Sequence, residues 1–109
     1  METLEAIEAL GALAQETRLE AFRTLVQHEP EGLPAGEIAR HLSVPQNTMS
    51  THLAILVNAG LADSRREGRS VIYRARLSAM EGLIGYLLKD CCRGQACLPE
   101  AEINQGQCP

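Results

Sequence analysis

Residues 45–76, PQNTMSTHLAILVNAGLADSRREGRSVIYRAR, constrain this chain more than any other stretch, because they place an amphipathic helix, an abrupt stop and a basic hairpin in that order. Met49, Leu53, Leu56 and Val57 recur at helical spacing and are expected to face a core, which puts Asn47, Ser50, Thr51 and Asn58 on the opposite side. That outer face is polar and uncharged. Short amides and hydroxyls suit hydrogen bonding to base edges and phosphates in a major groove, and Asn or Gln can hold adenine through two bonds. Gln46 and Asn47 are the candidates for direct base readout, with Thr48, Ser50 and Thr51 beside them.

A polar helix face is usually no more than a solvated surface, but its neighbours here favour DNA. Residues 34–41 predict a short helix with Ile38 and Leu42 inward, and Leu42-Ser43-Val44 is a turn of the length that sets two helices at a steep angle. Downstream, Gly60 ends the long helix, residues 62–66 and 70–75 read as strands, and Glu67-Gly68 supplies the turn between them. The expected fold is mainly α with a small β-hairpin: a winged helix-turn-helix of about five helices plus a two-stranded wing.

The formal net charge of −4 argues against a nucleic-acid partner unless the charge is unevenly distributed. It is. Arg65, Arg66, Arg69, Arg74 and Arg76 fall in the hairpin with only Glu67 read as opposing them, whereas Glu2, Glu5, Glu8, Glu16 and Glu20 crowd the N-terminal helices. Screening confines such fields to about 10 Å at moderate salt, so a basic stripe on an acidic body suffices for phosphate contact. Arg65, Arg66 and Arg69 are the expected contacts.

Along the rest of the chain, residues 3–14 predict a first helix with Leu4, Ile7, Leu10 and Leu13 as its apolar stripe. A second helix over 17–28 is expected to be capped by a Thr17/Glu20 box, with Leu19, Phe22, Leu25 and Val26 inward. Pro30, Gly32 and Pro34 then break the chain. Ser78 and Glu81 form a second capping box opening a last helix from Ala79 to about residue 90, striped by Met80, Leu83, Ile84, Leu87 and Leu88, with Gly82 and Gly85 allowing another helix close. One domain of 109 residues has a limited core unless it gains area by association. A homodimer through the first and last helices is therefore expected, with Leu4, Ile7, Leu83, Ile84 and Leu87 at its interface. Residues 1–93 are read as the DNA-binding and dimerisation domain and 94–109 as a cysteine-containing tail.

No apolar run reaches the length of a membrane span, and acids stand where a secretory signal carries bases, so a cytoplasmic protein without a membrane partner is expected. Cys91, Cys92, Cys97 and Cys108 all follow residue 90. In a reducing cytosol such a cluster suits ion binding or sensing better than a permanent staple. Catalysis is not indicated: there is no cysteine followed five residues later by arginine, no Gly-rich phosphate loop and no Ser-His-Asp succession. His52, on the flank of the long helix, fits packing or phosphate contact better than a metal, and Tyr73 suits either strand packing or phosphate.

LGALAQETRLEAFRTL, QNTMSTHLAILVNAGL and RREGRSVIYR, in that succession, resemble the ArsR/SmtB family of metalloregulatory winged-helix repressors over about residues 10–76. The resemblance implies a homodimeric repressor on double-stranded operator DNA, with no partner protein beyond self. GLPAGEIARHL lacks the cysteine pair that many arsenic and cadmium sensors of the family carry there. His28, His41 and His52 all lie before the last helix, where the zinc, nickel and cobalt sensors keep acid and histidine ligands. What remains, Cys91-Cys92-Arg93-Gly94-Gln95-Ala96-Cys97, resembles the arsenite site at the end of the last helix in one branch. It implies Cys91, Cys92 and Cys97 as ligands and trivalent arsenic or antimony as inducer.

Adjacent helical residues point about 100° apart, so Cys91 and Cys92 converge only if the helix ends, which Gly94 permits. Three sulfurs favour a soft ion, and trivalent arsenic or antimony takes three thiolates in a pyramid. Structural zinc prefers four ligands, so a zinc or cadmium site would need Cys108. A thiol redox or persulfide sensor, bridging Cys97 to Cys91 or Cys92, is the other alternative.

Overall fold

The structure is a computed structural model that describes residues 1–89. The elements run α1 (Thr3–Leu13), α2 (Glu16–Gln27), β1 (Leu33–Pro34), α3 (Ala35–Leu42), α4 (Gln46–Asn58), β2 (Ala62–Glu67), β3 (Ser70–Ala75) and α5 (Leu77–Leu87). This is the expected winged helix-turn-helix with one addition. Leu33 and Pro34 pair with Tyr73 and Ile72, making a three-stranded antiparallel sheet of order β1-β3-β2. A two-residue strand containing proline has no alternation to read, and only the wing's free edge creates it.

The core is built from the helix-turn-helix outward: Leu25 of α2, Ile38 of α3, Met49, Leu53 and Leu56 of α4, and Leu61 at the wing's root are all fully buried. Met49, Leu53 and Leu56 follow the helical period and fix which face of α4 points inward. Between α3 and α4, Ser43 adopts the left-handed conformation (φ 55°), and Val44 N–H donates back to the Ala39 carbonyl at 3.0 Å. This Schellman closure satisfies the helix end and turns the chain sharply into α4. Gly60 (φ 82°) ends α4 likewise, with Leu61 N–H bonded to the Leu56 carbonyl at 3.0 Å.

α1 packs on the core through small residues outside its expected apolar stripe. Ala6, Ala9 and Ala12 face the core, whereas Leu4 is 73% and Ile7 59% exposed, and Leu10 is exposed as well. The alanine stripe lets α1 lie close against the body, with Leu13 packed partly on the core and Leu4, Ile7 and Leu10 left outside. In α2, Ala21, Phe22 and Leu25 are buried but Leu19 and Val26 are exposed. Its cap also differs: the chain enters helix at Glu16, and the Gln15 side chain accepts from Arg18 N–H at 2.8 Å, so Thr17 lies inside the first turn. α5 starts at Leu77 with Arg76 at its N-cap and no side-chain cap, so the Ser78/Glu81 box does not form.

The expected dimer surface divides. Leu4, Ile7, Ile84 and Leu87 are exposed, but Leu83 is 3% exposed and belongs to the protomer's own core, because α5 turns that position inward with Met80 packed partly beside it on the core. Gly85 is open, Gly82 sits against Met1, and the Thr3 and Tyr86 hydroxyls meet at 2.6 Å, tying α1 to α5. No helix among the described residues is long and apolar enough to cross a membrane.

Candidate nucleic-acid interface

Burying Met49, Leu53 and Leu56 rotates Gln46, Asn47, Thr48 and Thr51 outward, all exposed, with Ser50 half-buried. Asn47 Oδ1 accepts from Thr48 N–H at 2.9 Å, and the Thr51 hydroxyl bonds to the Asn47 carbonyl at 3.3 Å. Gln46 lies against α3: a Cβ at Gly36 would stand 3.3 Å from Gln46 Oε1.

The wing pairs in full register from Ala62↔Ala75 to Glu67↔Ser70, so Gly68 and Arg69 form its tip and the turn lies one residue later than expected. Gly68 carries φ 61°, a conformation that a Cβ would oppose. The five arginines are not equivalent. Arg65 Nε bonds to Glu67 at 2.7 Å and its Nη2 to the Glu31 carbonyl at 3.2 Å; Arg74 bonds to Glu29 at 2.7 Å, and Arg76 lies 3.7 Å from Asp63. Three acids therefore oppose the hairpin's arginines, where only Glu67 was expected. Glu29 was missed because it lies 45 residues from Arg74, and Asp63 because it shares its strand with the bases. Among the described residues Arg66 and Arg69 make no ion pair and are the wing cations free for phosphate.

The Glu29 side chain is only 15% exposed, and its hydrogen bond and charge hold the Arg74 guanidinium protonated even more firmly than usual. Arg74 therefore anchors the wing to the loop before β1 and is unsuited to a phosphate contact. Tyr73 packs against the core and pairs with Leu33, resolving its strand role. Arg18 was not anticipated as a link: its Nε donates to the Ala12 carbonyl at 2.6 Å and its Nη1 lies 3.4 Å from His52 Nδ1, joining the end of α1 to α4.

The wing tip and α4 flank a common crevice. Gln46 and Ser50 line one crevice with Arg69, Ser70 and Tyr73. Among the described residues no group of three or more His, Asp or Glu side chains is arranged to hold a metal ion. Cys91, Cys92, Cys97 and Cys108 lie outside the described residues.

A steeply turned helix pair, an outward polar face and a cation-tipped hairpin beside it define a winged helix-turn-helix DNA-binding protein. A helix-turn-helix domain family profile matches residues 13–65. The transcriptional activator HlyU of Vibrio cholerae is 32% identical over 89 residues, which cover 82% of this chain and 80% of that protein. Its reduced form has been solved and superposes with a TM-score of 0.63 at 30% identity, covering 83% of this chain and 92% of that one. An ArsR-like transcriptional regulator from Rhodococcus sp. RHA1 gives 0.67 at 28% identity, covering 77% and 76%. The homodimeric DNA-binding domain Mb0332 from Mycobacterium bovis, a possible ArsR-family regulator, gives 0.61 at 27% identity, covering 77% and 82%. The chain belongs to the ArsR/SmtB family of winged helix-turn-helix transcriptional regulators.

Proposed function

We propose that this chain is a homodimeric cytoplasmic repressor that releases its operator when trivalent arsenic or antimony binds Cys91, Cys92 and Cys97. The DNA half of this reading is supported by the crevice that Gln46 and Ser50 of α4 share with Arg69 of the wing tip. A duplex that admits α4 into its major groove lays its flanking backbone on that tip. Asn47, Thr48 and Thr51 then face base edges, and Arg66 and Arg69 face phosphates.

Dimerisation is supported by the exposed Leu4, Ile7, Ile84 and Leu87, large apolar side chains clustered on two helices joined by the Thr3–Tyr86 contact. A relative of the same fold is homodimeric. The donor set fits the inducer, since three thiols suit a soft trivalent centre that takes three sulfurs. Cys91 follows Leu87 by four residues, so a ligand there constrains the chain leaving the proposed dimer helix. Coupling to the operator requires about 1–3 kcal/mol and is reciprocal: operator DNA weakens arsenite binding.

The test is fluorescence anisotropy on a selected operator duplex with and without arsenite. Cys91→Ser, Cys92→Ser and Cys97→Ser keep DNA binding and lose release, while Cys108→Ser keeps both; equal arsenite affinity with and without operator rejects the coupling. A thiol redox or persulfide switch is the second reading, favoured by the relative characterised in a reduced form. It is recognised by release under peroxide or persulfide with no ion present. A zinc or cadmium sensor would show a fourth sulfur, from Cys108, in X-ray absorption.

A further inference from the structure

Three elements converge on the crevice between wing and helix-turn-helix, which has a volume of about 240 Å³. Gly36 of α3 forms one wall, Gln46 and Ser50 of α4 another, and Arg69, Ser70 and Tyr73 of the wing the third. Its lining holds hydroxyls, an amide and a guanidinium, and no carboxylate. Two other hollows at the wing differ in this respect: one is lined by Glu29 and Asp63 beside Arg74 and Arg76, the other by Asp63 beside Arg65 and Arg74. In those the cations are already neutralised by their neighbours. Here Arg69 makes no ion pair among the described residues.

We infer that this crevice seats one DNA backbone phosphate, held by Arg69 and the polar groups of Ser50 and Gln46, with Gly36 keeping the space open. The inference rests on the DNA-binding reading above and adds to it one sequence-independent contact that fixes the wing and α4 in a single register on the duplex. Gln46 changes role accordingly. Its side chain is drawn back over Gly36, where a Cβ would crowd Oε1 at 3.3 Å, so it serves the phosphate and leaves base reading to Asn47.

Gly36→Leu fills the crevice without removing a charge; helix propensity favours leucine over glycine, and the neighbour that must give way is the end of the flexible Gln46 side chain. Arg69→Ala removes the cation. Each should lower affinity about tenfold at low salt, equally on a selected operator and a random-sequence duplex, and reduce the slope of log K against log salt by about 0.9. The decisive result is the double variant. If both act on one phosphate, its loss is no larger than that of the worse single variant.

Fold-losses that multiply, or a Gly36→Leu protein with unchanged affinity, overturn the inference. If Gly36→Leu does not fold, Ser50→Val narrows the crevice from the opposite wall and enters the same cycle. Wild-type protein that binds neither duplex sinks the DNA reading itself, whereas wild-type binding with multiplicative losses sinks only the phosphate seat. Inorganic phosphate alone should perturb the Gly36 amide resonance only at high concentration. Saturation in the micromolar range would mark a small-molecule pocket and also overturn the assignment.

Discussion

α1 and α4 are both short amphipathic helices packed on the same core, yet they use their apolar residues in opposite ways. α4 buries Met49, Leu53 and Leu56 and presents amides and hydroxyls. α1 buries Ala6, Ala9 and Ala12 and presents Leu4, Ile7 and Leu10. Where the large side chains point inward, the outer face is free to be polar and to meet a hydrated polyanion. Where the fully buried positions are all alanines, the apolar area left outside has its natural use against another protein surface.

Five substitutions test that contrast, beginning with the largest effect. Leu53→Ala should cost about 2–5 kcal/mol of stability in urea unfolding, because it opens a cavity in a fully buried site; a loss as small as that of Ile7→Ala in a monomeric background would erase the distinction between the helices. Ile84→Glu should weaken self-association about a hundredfold by sedimentation, roughly 2.7 kcal/mol, while leaving protomer helicity intact. Unchanged association would mean that the exposed face is not the dimer surface. Asn47→Ala should remove about 1–3 kcal/mol of discrimination at one base pair in competition binding, with little change on random duplex. Arg66→Ala should weaken all sequences alike and reduce the salt slope by about 0.9. Glu37→Gln, which breaks the exposed Glu37–Arg40 pair within α3, should move stability by no more than about 0.5 kcal/mol, setting the baseline for a surface change.

The same contrast explains what could be read from the chain alone. α4 and the wing were legible because their signals are local: a 3.6-residue period ending at Gly60, then two strands around Gly68. α1 was legible as a helix whose Leu4 and Ile7 suit a partner surface, but the face that packs it on its own core was not singled out, since leucine outranks alanine in such a reading. The alternative signal was the Ala6-Ala9-Ala12 spacing, which permits close packing. Leu83 was misplaced because every residue of the α5 stripe is apolar, and only packing selects which one enters the core. The candidate DNA residues were found by type, but the division of the five arginines into paired and free depended on Glu29, a partner remote in sequence.

The short pairing of Leu33 and Pro34 with β3 has a practical consequence. A Cβ at Gly32 (φ 78°) would collide with the Tyr73 carbonyl oxygen, and Arg74 reaches back to Glu29, so the hairpin is seated in the linker that precedes it. Anyone transplanting this wing into a related regulator to alter its operator must carry residues 29–34 with it. Exchanged alone, the hairpin would arrive without its socket.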